Sequence, residues 1–163
     1  MKKILLISAA VFAAAASLVL WGSTFAASMV HDQLVAQKIS FPDADKLREE
    51  NPALLKYAGQ MVDNGAKAKA YSDYIAGHLK NVANGKTYSE VSGEYQKDRT
   101  NQTLASQRQT LFMGETLRGL LLNAWGWGLI GTLALYAAIA MYAVAVGLGV
   151  VAVTTPAKKR VKK

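Results

Sequence analysis

Residues 119–153 read GLLLNAWGWGLIGTLALYAAIAMYAVAVGLGVVAV and contain no charged side chain. An uncharged run of more than roughly 18 residues is typical of a membrane-spanning helix, because lipid offers backbone amides no partner except carbonyls of the same helix. This run of about 35 residues would form a helix of roughly 52 Å, longer than a ~30 Å hydrocarbon core. Trp125 and Trp127 suit the membrane interface. We therefore expect the span to begin near Gly128.

The N-terminal segment, 1–27, begins with lysines and continues with an apolar run over 4–21. This pattern fits either a signal peptide cleaved after Ala26 or an uncleaved membrane anchor. Apolar residues continue beyond the possible cleavage point at helical spacing; they are Met29, Val30, Leu34, Val35 and Ile39. Because this stripe extends the same helix instead of starting a loop, we favour an uncleaved helix.

The net charge of +8 is concentrated at the ends of the chain. Residues 29–116 contain all 11 acidic residues and an equal number of lysines and arginines. The excess is Lys2, Lys3, Arg118 and the basic residues of 158–163. By the positive-inside rule, this distribution predicts two spans with both termini cytoplasmic and the middle outside. It argues against a nucleic-acid-binding domain, which would carry a basic face.

These observations predict an all-α membrane protein with two transmembrane helices and a small helical extracytoplasmic domain between them. The expected divisions are 1–28 for the N-terminal transmembrane helix or signal anchor, 29–116 for the extracytoplasmic domain, 117–154 for the interfacial and transmembrane helix, and 155–163 for a basic cytoplasmic tail. With few large apolar residues, a domain of this size builds only a thin core.

Local patterns predict the helices of the middle domain. Phe41-Pro42 should end the first helix, because proline disfavours the α conformation in the residue before it. The other expected helices are 43–50, a helix from Asn51-Pro52 through Val62, 66–83, one from the capping box Thr87–Glu90 to about Gln96, and a last one capped by Thr100 or Asn101.

Few residues could catalyse a reaction or bind a metal or haem. The chain has no cysteine, and His31 and His78 are the only histidines. A catalytic metal site needs about three converging ligands, which no spacing here supplies. No nucleophile elbow or phosphate-binding glycine loop is present in the sequence. We therefore expect no catalytic residues, no metal and no cofactor, with haem ligation by the two histidines as the alternative.

The junction at 109–122 is the candidate contact site for a partner protein. Glu115 and Arg118 are opposite charges three residues apart, which also fits a simple pair at the membrane surface with Arg118 snorkelling. Gly114 and Gly119 lie in expected helix, where glycine costs about 1 kcal/mol relative to alanine. Close approach of another backbone would offset that cost, either from the first helix near 27–35 or from another protein.

Small residues recur four apart in the last span, which permits close helix packing. The positions are Ala124, Gly128 and Thr132, then Ala134 and Ala138, then Ala145 and Gly149. They could pack against residues 9–16 of the first span or support oligomerisation.

Four blocks of the sequence carry a resemblance to a known group: 29–34 (MVHDQL), 38–42 (KISFP), 85–92 (GKTYSEVS) and 109–122 (QTLFMGETLRGLLL). They resemble small two-span membrane proteins of actinobacteria, some of which carry the name aromatic ring-opening dioxygenase. The resemblance implies a cytoplasmic-membrane protein with an envelope-facing domain. Extradiol dioxygenases hold iron through two histidines and a carboxylate. This sequence has two histidines without a third ligand at recognised spacing, so we expect that name to be misassigned.

The sequence favours a non-enzymatic membrane protein that acts by protein contact. Its partners would be other membrane protein subunits or a second copy, and its role that of an accessory or scaffold subunit in an envelope or respiratory assembly. One alternative is a metal- or haem-dependent redox protein that uses His31 and His78. A second is a homo-oligomeric pore, which the absence of a charged stripe in either span disfavours.

Overall fold

The computed structural model describes residues 1–156, and every regular element there is helical. The helices are α1 (Lys2–Ala36), α2 (Ala44–Glu50), the 3₁₀ helix η1 (Pro52–Tyr57), α3 (Gly65–Val82), α4 (Tyr88–Lys97) and α5 (Gln102–Thr154). The all-α prediction is confirmed for these residues. The predicted basic tail, 155–163, lies outside the described residues from position 157 onward.

Helices α1 and α5 are both long and apolar enough to cross a membrane. They contain 35 and 53 residues, and only 6% and 17% of their most apolar windows are buried within the chain. The core helix of a soluble protein would bury most of such a window. The exposure of these helices therefore agrees with an apolar solvent, as predicted for two transmembrane helices.

The described residues form two compact units, one of residues 1–28 with 129–156, the other of residues 29–128. In the first unit, small buried residues recur seven apart on α5: Gly131, Ala138, Ala145 and Ala152. Ser23 Oγ of α1 donates a 2.7 Å hydrogen bond to the carbonyl of Gly131. The hydroxyls of Ser17 and Tyr142 are 2.7 Å apart. Of the small residues that the sequence pattern indicated in this unit, Ala138 and Ala145 are buried, whereas Gly149 has open space beside it; the choice between packing on residues 9–16 and oligomerisation stays open.

The second unit has a thin core, drawn from every helix in it. One cluster comprises Val30, Leu34, Phe41, Leu47, Leu54, Val62, Ala68, Ala70, Tyr74 and Leu121. A smaller one comprises Leu79, Ala83, Val91 and Leu111. Alanine, valine and leucine side chains make up most of the two clusters. Because these side chains are small, the helices must pack closely to fill the core.

Two predicted elements are wrong. The first helix ends at Ala36, earlier than Phe41, because Lys38 adopts a left-handed conformation with φ 52°. The helix expected through Val62 is only η1, which ends at Tyr57. Beyond it, Met61 pairs with Ser40 in an isolated antiparallel bridge. This extended arrangement places Val62 in the core, where it is fully buried.

The predicted caps of the later helices are confirmed. Thr87 Oγ1 accepts a bond from the Glu90 amide, and Glu90 Oε2 accepts one from the Thr87 amide, which forms the capping box of α4. Asn101 Oδ1 accepts a 3.1 Å bond from the Leu104 amide at the start of α5. Side chains within three residues thus satisfy amides that the helices leave free.

Candidate functional site

The two junction glycines have different surroundings. A Cβ atom on Gly114 would lie 2.5 and 2.8 Å from the two Cδ atoms of Leu79 and 3.0 Å from its Cγ. No described atom lies within 4 Å of the same position on Gly119. The close neighbour of Gly114 is therefore a side chain of α3, not the backbone of α1 that was expected, and Gly119 faces open space.

Glu115 and Arg118 form the predicted ion pair. Arg118 Nη1 donates to both carboxylate oxygens of Glu115, at 2.7 and 2.8 Å. The Arg118 side chain is about three-quarters buried, at 26% exposure, whereas Glu115 is half exposed. The pair ties two consecutive turns of α5 together just before the long apolar run.

One face of α5 within residues 29–128 is exposed along its whole length. The exposed α5 face consists of Met113, Thr116, Leu120, Asn123 and Trp127, flanked by Phe112 and Gly119. The five central residues follow i, i+3, i+7 spacing, which places them on one side of a helix. Met113 is 59% exposed and Leu120 is 66% exposed. This face therefore presents large apolar side chains that residues 1–156 leave uncovered.

An apolar groove of about 380 Å³ borders this face. α1 contributes Met29 and Gln33, the turn that follows it contributes Gln37, and α5 contributes Leu120, Asn123 and Trp127 among the lining residues. The three amide side chains are exposed. Groove and face together provide apolar contact area with amide groups that can donate and accept hydrogen bonds.

A second glycine contact, between Gly65 and Gly128, joins α3 to α5 backbone to backbone. A Cβ on Gly65 would lie 3.3 Å from the Cα atoms of Gly128 and Trp125 and from the carbonyl oxygen of Ala124. The helix expected over 66–83 began one residue after Gly65, and this contact was not predicted from the sequence. The available signal was a glycine in the first turn of an alanine-rich helix, where close packing is one reason for its use.

The structure gives the two histidines different partners. His31 Nδ1 is 3.0 Å from the carbonyl oxygen of Asp63, and His78 Nε2 is 3.3 Å from Glu50 Oε2. Within residues 1–156, no group of three or more His, Asp or Glu side chains is arranged to hold a metal ion. The described contacts therefore do not bring the two histidines together as a ligand set.

Glu50 is the centre of a small polar cluster with Tyr74 and His78. The Tyr74 hydroxyl donates a 2.6 Å hydrogen bond to Glu50 Oε2. That bond, with the positive charge of Lys46 and the contact with His78, lowers the pKa of Glu50, although burial opposes the shift. Burial and the hydrogen bond to Glu50 raise the pKa of Tyr74. The cluster therefore favours an ionised carboxylate and a neutral phenol, which stabilises the contact between α2 and α3.

Comparison of the chain with protein-family models, with curated proteins and with solved structures gives no match. The assignment of a function therefore depends on the residues and contacts of this chain.

Proposed function

We propose that this protein is a non-enzymatic integral membrane protein that acts by protein contact, as an accessory or scaffold subunit of an envelope or respiratory assembly. The observation that carries the proposal is the exposed α5 face. Large exposed apolar patches mark sites of contact with a protein, a membrane or a ligand.

The position of the face on the helix supports a protein partner. Phe112 and Met113, which are 54% and 59% exposed, precede the Glu115–Arg118 ion pair and therefore lie on its polar side. Lipid tails do not cover such a position in a helix that enters the membrane after the pair. A protein surface is the apolar partner that remains.

The spacing of the face indicates a helical partner. Its apolar residues recur every seven positions, as in a seam along which two helices pack, and polar residues lie between them. The apolar ones are Met113, Leu120 and Trp127, and the polar ones are Thr116 and Asn123. Gly119 at the edge of the face would let the two backbones approach closely, because no described atom occupies the space beside it. The amide of Asn123 would fix the register of such a contact.

The proposal includes a topology in the cytoplasmic membrane. α1 and α5 would cross it, both termini would be cytoplasmic, and residues 29–116 would form the extracytoplasmic domain. The support is the charge distribution: the cationic excess flanks the two apolar helices, while the residues between them are neutral overall. Kinship with the two-span actinobacterial proteins is part of the same proposal.

The contact proposal predicts that changes on the exposed α5 face release a bound partner. The wild-type protein, Met113→Lys and Gly119→Leu would be tagged, cross-linked in native membranes and purified in mild detergent. We expect a stoichiometric partner, or a second copy, with the wild type and a loss of it in both variants. Met61→Lys is the matched control, because Met61 is 40% exposed in the same unit but lies outside α5.

Circular dichroism of each variant would verify that the helices are retained. A wild-type protein that cross-links to nothing, or a partner lost equally in Met61→Lys, would refute the proposal. An optical spectrum with a Soret band, lost in His78→Ala, would instead favour the redox alternative.

A further inference from the structure

A cavity of about 620 Å³ lies between α3, α4 and α5 in the second unit. Its floor is apolar, since Leu79 and Leu111 are buried there. Three cationic side chains line it, Lys80, Lys86 and Arg118. The hydroxyls of Thr87, Tyr88 and Ser89 are also part of the lining. The cavity therefore combines an apolar base with a basic, hydroxyl-rich rim.

The cations of this rim are only partly neutralised. Lys86 Nζ pairs with Glu94 at 2.7 Å, and Arg118 pairs with Glu115. Lys80 forms no ion pair within 4 Å among residues 1–156. The lining thus keeps a positive excess even after its internal pairs are counted, which raises the local concentration of anions.

The guanidinium group of Arg118 is not fully hydrogen-bonded by residues 1–156. Its Nε atom is buried and has no hydrogen-bond partner among the described residues, although Nη1 is bonded to Glu115. Buried polar atoms are nearly always bonded, and those of charged groups cost most when they are not. The guanidinium group is also planar and presents paired donors that match the oxygens of a phosphate.

We propose that this cavity binds the phosphate group of an anionic ligand. The guanidinium group of Arg118, whose side chain is 26% exposed, and the ammonium group of Lys80 are the principal contacts, and the hydroxyl of Ser89 is an additional donor. The phosphate belongs either to the headgroup of an anionic lipid or to a small soluble molecule. Arg118 directly precedes the apolar run of α5, and the floor of the cavity is apolar. Both features suit a lipid headgroup. This site does not depend on the contact function proposed above.

The test compares ligand binding by the purified full chain and by rim variants. Native mass spectrometry in detergent would measure the binding of dioleoylphosphatidylglycerol, with dioleoylphosphatidylcholine, whose choline cation offsets the charge of its phosphate, as the comparison. Lys80→Gln and Arg118→Gln should each weaken phosphatidylglycerol binding about tenfold, because each loses a charge-assisted hydrogen bond. Lys69→Gln is the matched control, since Lys69 is on the same helix but pairs with Asp73 outside the cavity.

Glu115→Gln provides an effect of the opposite sign. It removes the anion that competes for Arg118, so phosphatidylglycerol should bind more tightly than in the wild type. A loss of folding cannot produce this increase, which keeps the test informative if Arg118→Gln is unstable. Arg118→Lys, which retains the charge, should restore part of the affinity.

A second arm separates the two sources of phosphate. Inorganic phosphate that raises the melting temperature of the wild type, but not of Lys80→Gln, and displaces phosphatidylglycerol would assign a soluble ligand. Phosphatidylglycerol binding that inorganic phosphate does not displace would assign a lipid headgroup. Equal binding of both lipids, equal losses in Lys69→Gln and Lys80→Gln, or no gain in Glu115→Gln would overturn the proposal.

Discussion

Gly114→Ala tests whether the contact between α5 and Leu79 decides the packing of the second unit. Helix propensity alone predicts a stabilisation of about 1 kcal/mol for this change. The structure predicts the opposite sign. The added methyl group would lie 2.5–3.0 Å from three Leu79 carbons, well inside the ordinary separation of about 3.5–4.0 Å.

The magnitude follows from the two opposing terms. Leu79 packs in a cluster with Ala83, Val91 and Leu111, so a shift of its side chain toward the adjoining cavity would cost it those contacts. Overpacking of this kind costs about 1–3 kcal/mol, which outweighs the gain in propensity and leaves a net loss of up to about 2 kcal/mol. In a Leu79→Ala background the overlap disappears, and Gly114→Ala should then stabilise by about 1 kcal/mol.

The assay is chemical unfolding in detergent, followed by circular dichroism, for both single variants and the double variant. Gly119→Ala is the control: it is on the same helix with no described atom within 4 Å of the new methyl group. It should stabilise by up to about 1 kcal/mol. The reasoning is refuted if Gly114→Ala stabilises as much as Gly119→Ala, or if its effect is the same with and without Leu79.

Three further predictions concern pH, capping and topology. The Tyr74 hydroxyl is the chief cause of the lowered pKa of Glu50 in the folded protein. Ionised Glu50 therefore stabilises the fold at pH values above its ordinary pKa, and this stabilisation is lost as the pH falls through the lowered pKa. Tyr74→Phe should therefore lower the melting temperature near neutral pH, and that difference should shrink on titration to about pH 3; a difference independent of pH would contradict this. Thr87→Ala should cost about 1 kcal/mol, because α4 loses the oxygen that accepts from the Glu90 amide, whereas Thr103→Ala, an exposed control, should cost less in the same unfolding assay. Cysteine at Ser106, which is exposed on α5, should react with an impermeant thiol reagent in intact cells while cysteine at Ala157 is protected; equal labelling would rule out the proposed topology.

The sequence alone was enough to predict the features that depend on residues close together in the chain. The length and apolarity of α1 and α5 made them recognisable from composition alone. The capping box at Thr87 and the cap at Asn101 follow from side chains that reach amides three residues away. The Glu115–Arg118 pair is another contact within one turn.

The errors lie where distant segments meet. The spacing of Leu54, Leu55 and Ala58 is helical, but the pairing of Ser40 with Met61 requires extended chain. That pairing bridges segments about 20 residues apart, and Gly59, with φ +65°, turns the chain into it. No local pattern could show that the burial of Val62 outweighs helix formation there.

The candidate site shows the same difference between features that nearby residues determine and features that depend on distant segments. Glycine in a helix is a local signal of close approach, and Gly114 does lie close to another residue, although that neighbour is the Leu79 side chain and not the backbone that was expected. The identity of the neighbour, Leu79, depends on how α3 returns along α5, which the sequence does not encode locally. Gly119 gives an identical sequence signal, yet it has an open environment, so the two positions can be told apart only in three dimensions.

The glycine contacts also explain why one face of α5 stays uncovered. Gly65 meets Gly128, and Leu79 meets Gly114, so equal lengths of α3 and α5 lie between the two contacts and the helices run antiparallel. The contacts are about 21 Å apart along each helix, which fixes α3 against α5 at both ends of that length. At 100° per residue, Gly114 and Gly128 lie on a different side of α5 from Met113 and Leu120. Packing of α3 therefore fills one side of α5 and directs the apolar residues of the other side away from the domain, where a partner helix can reach them.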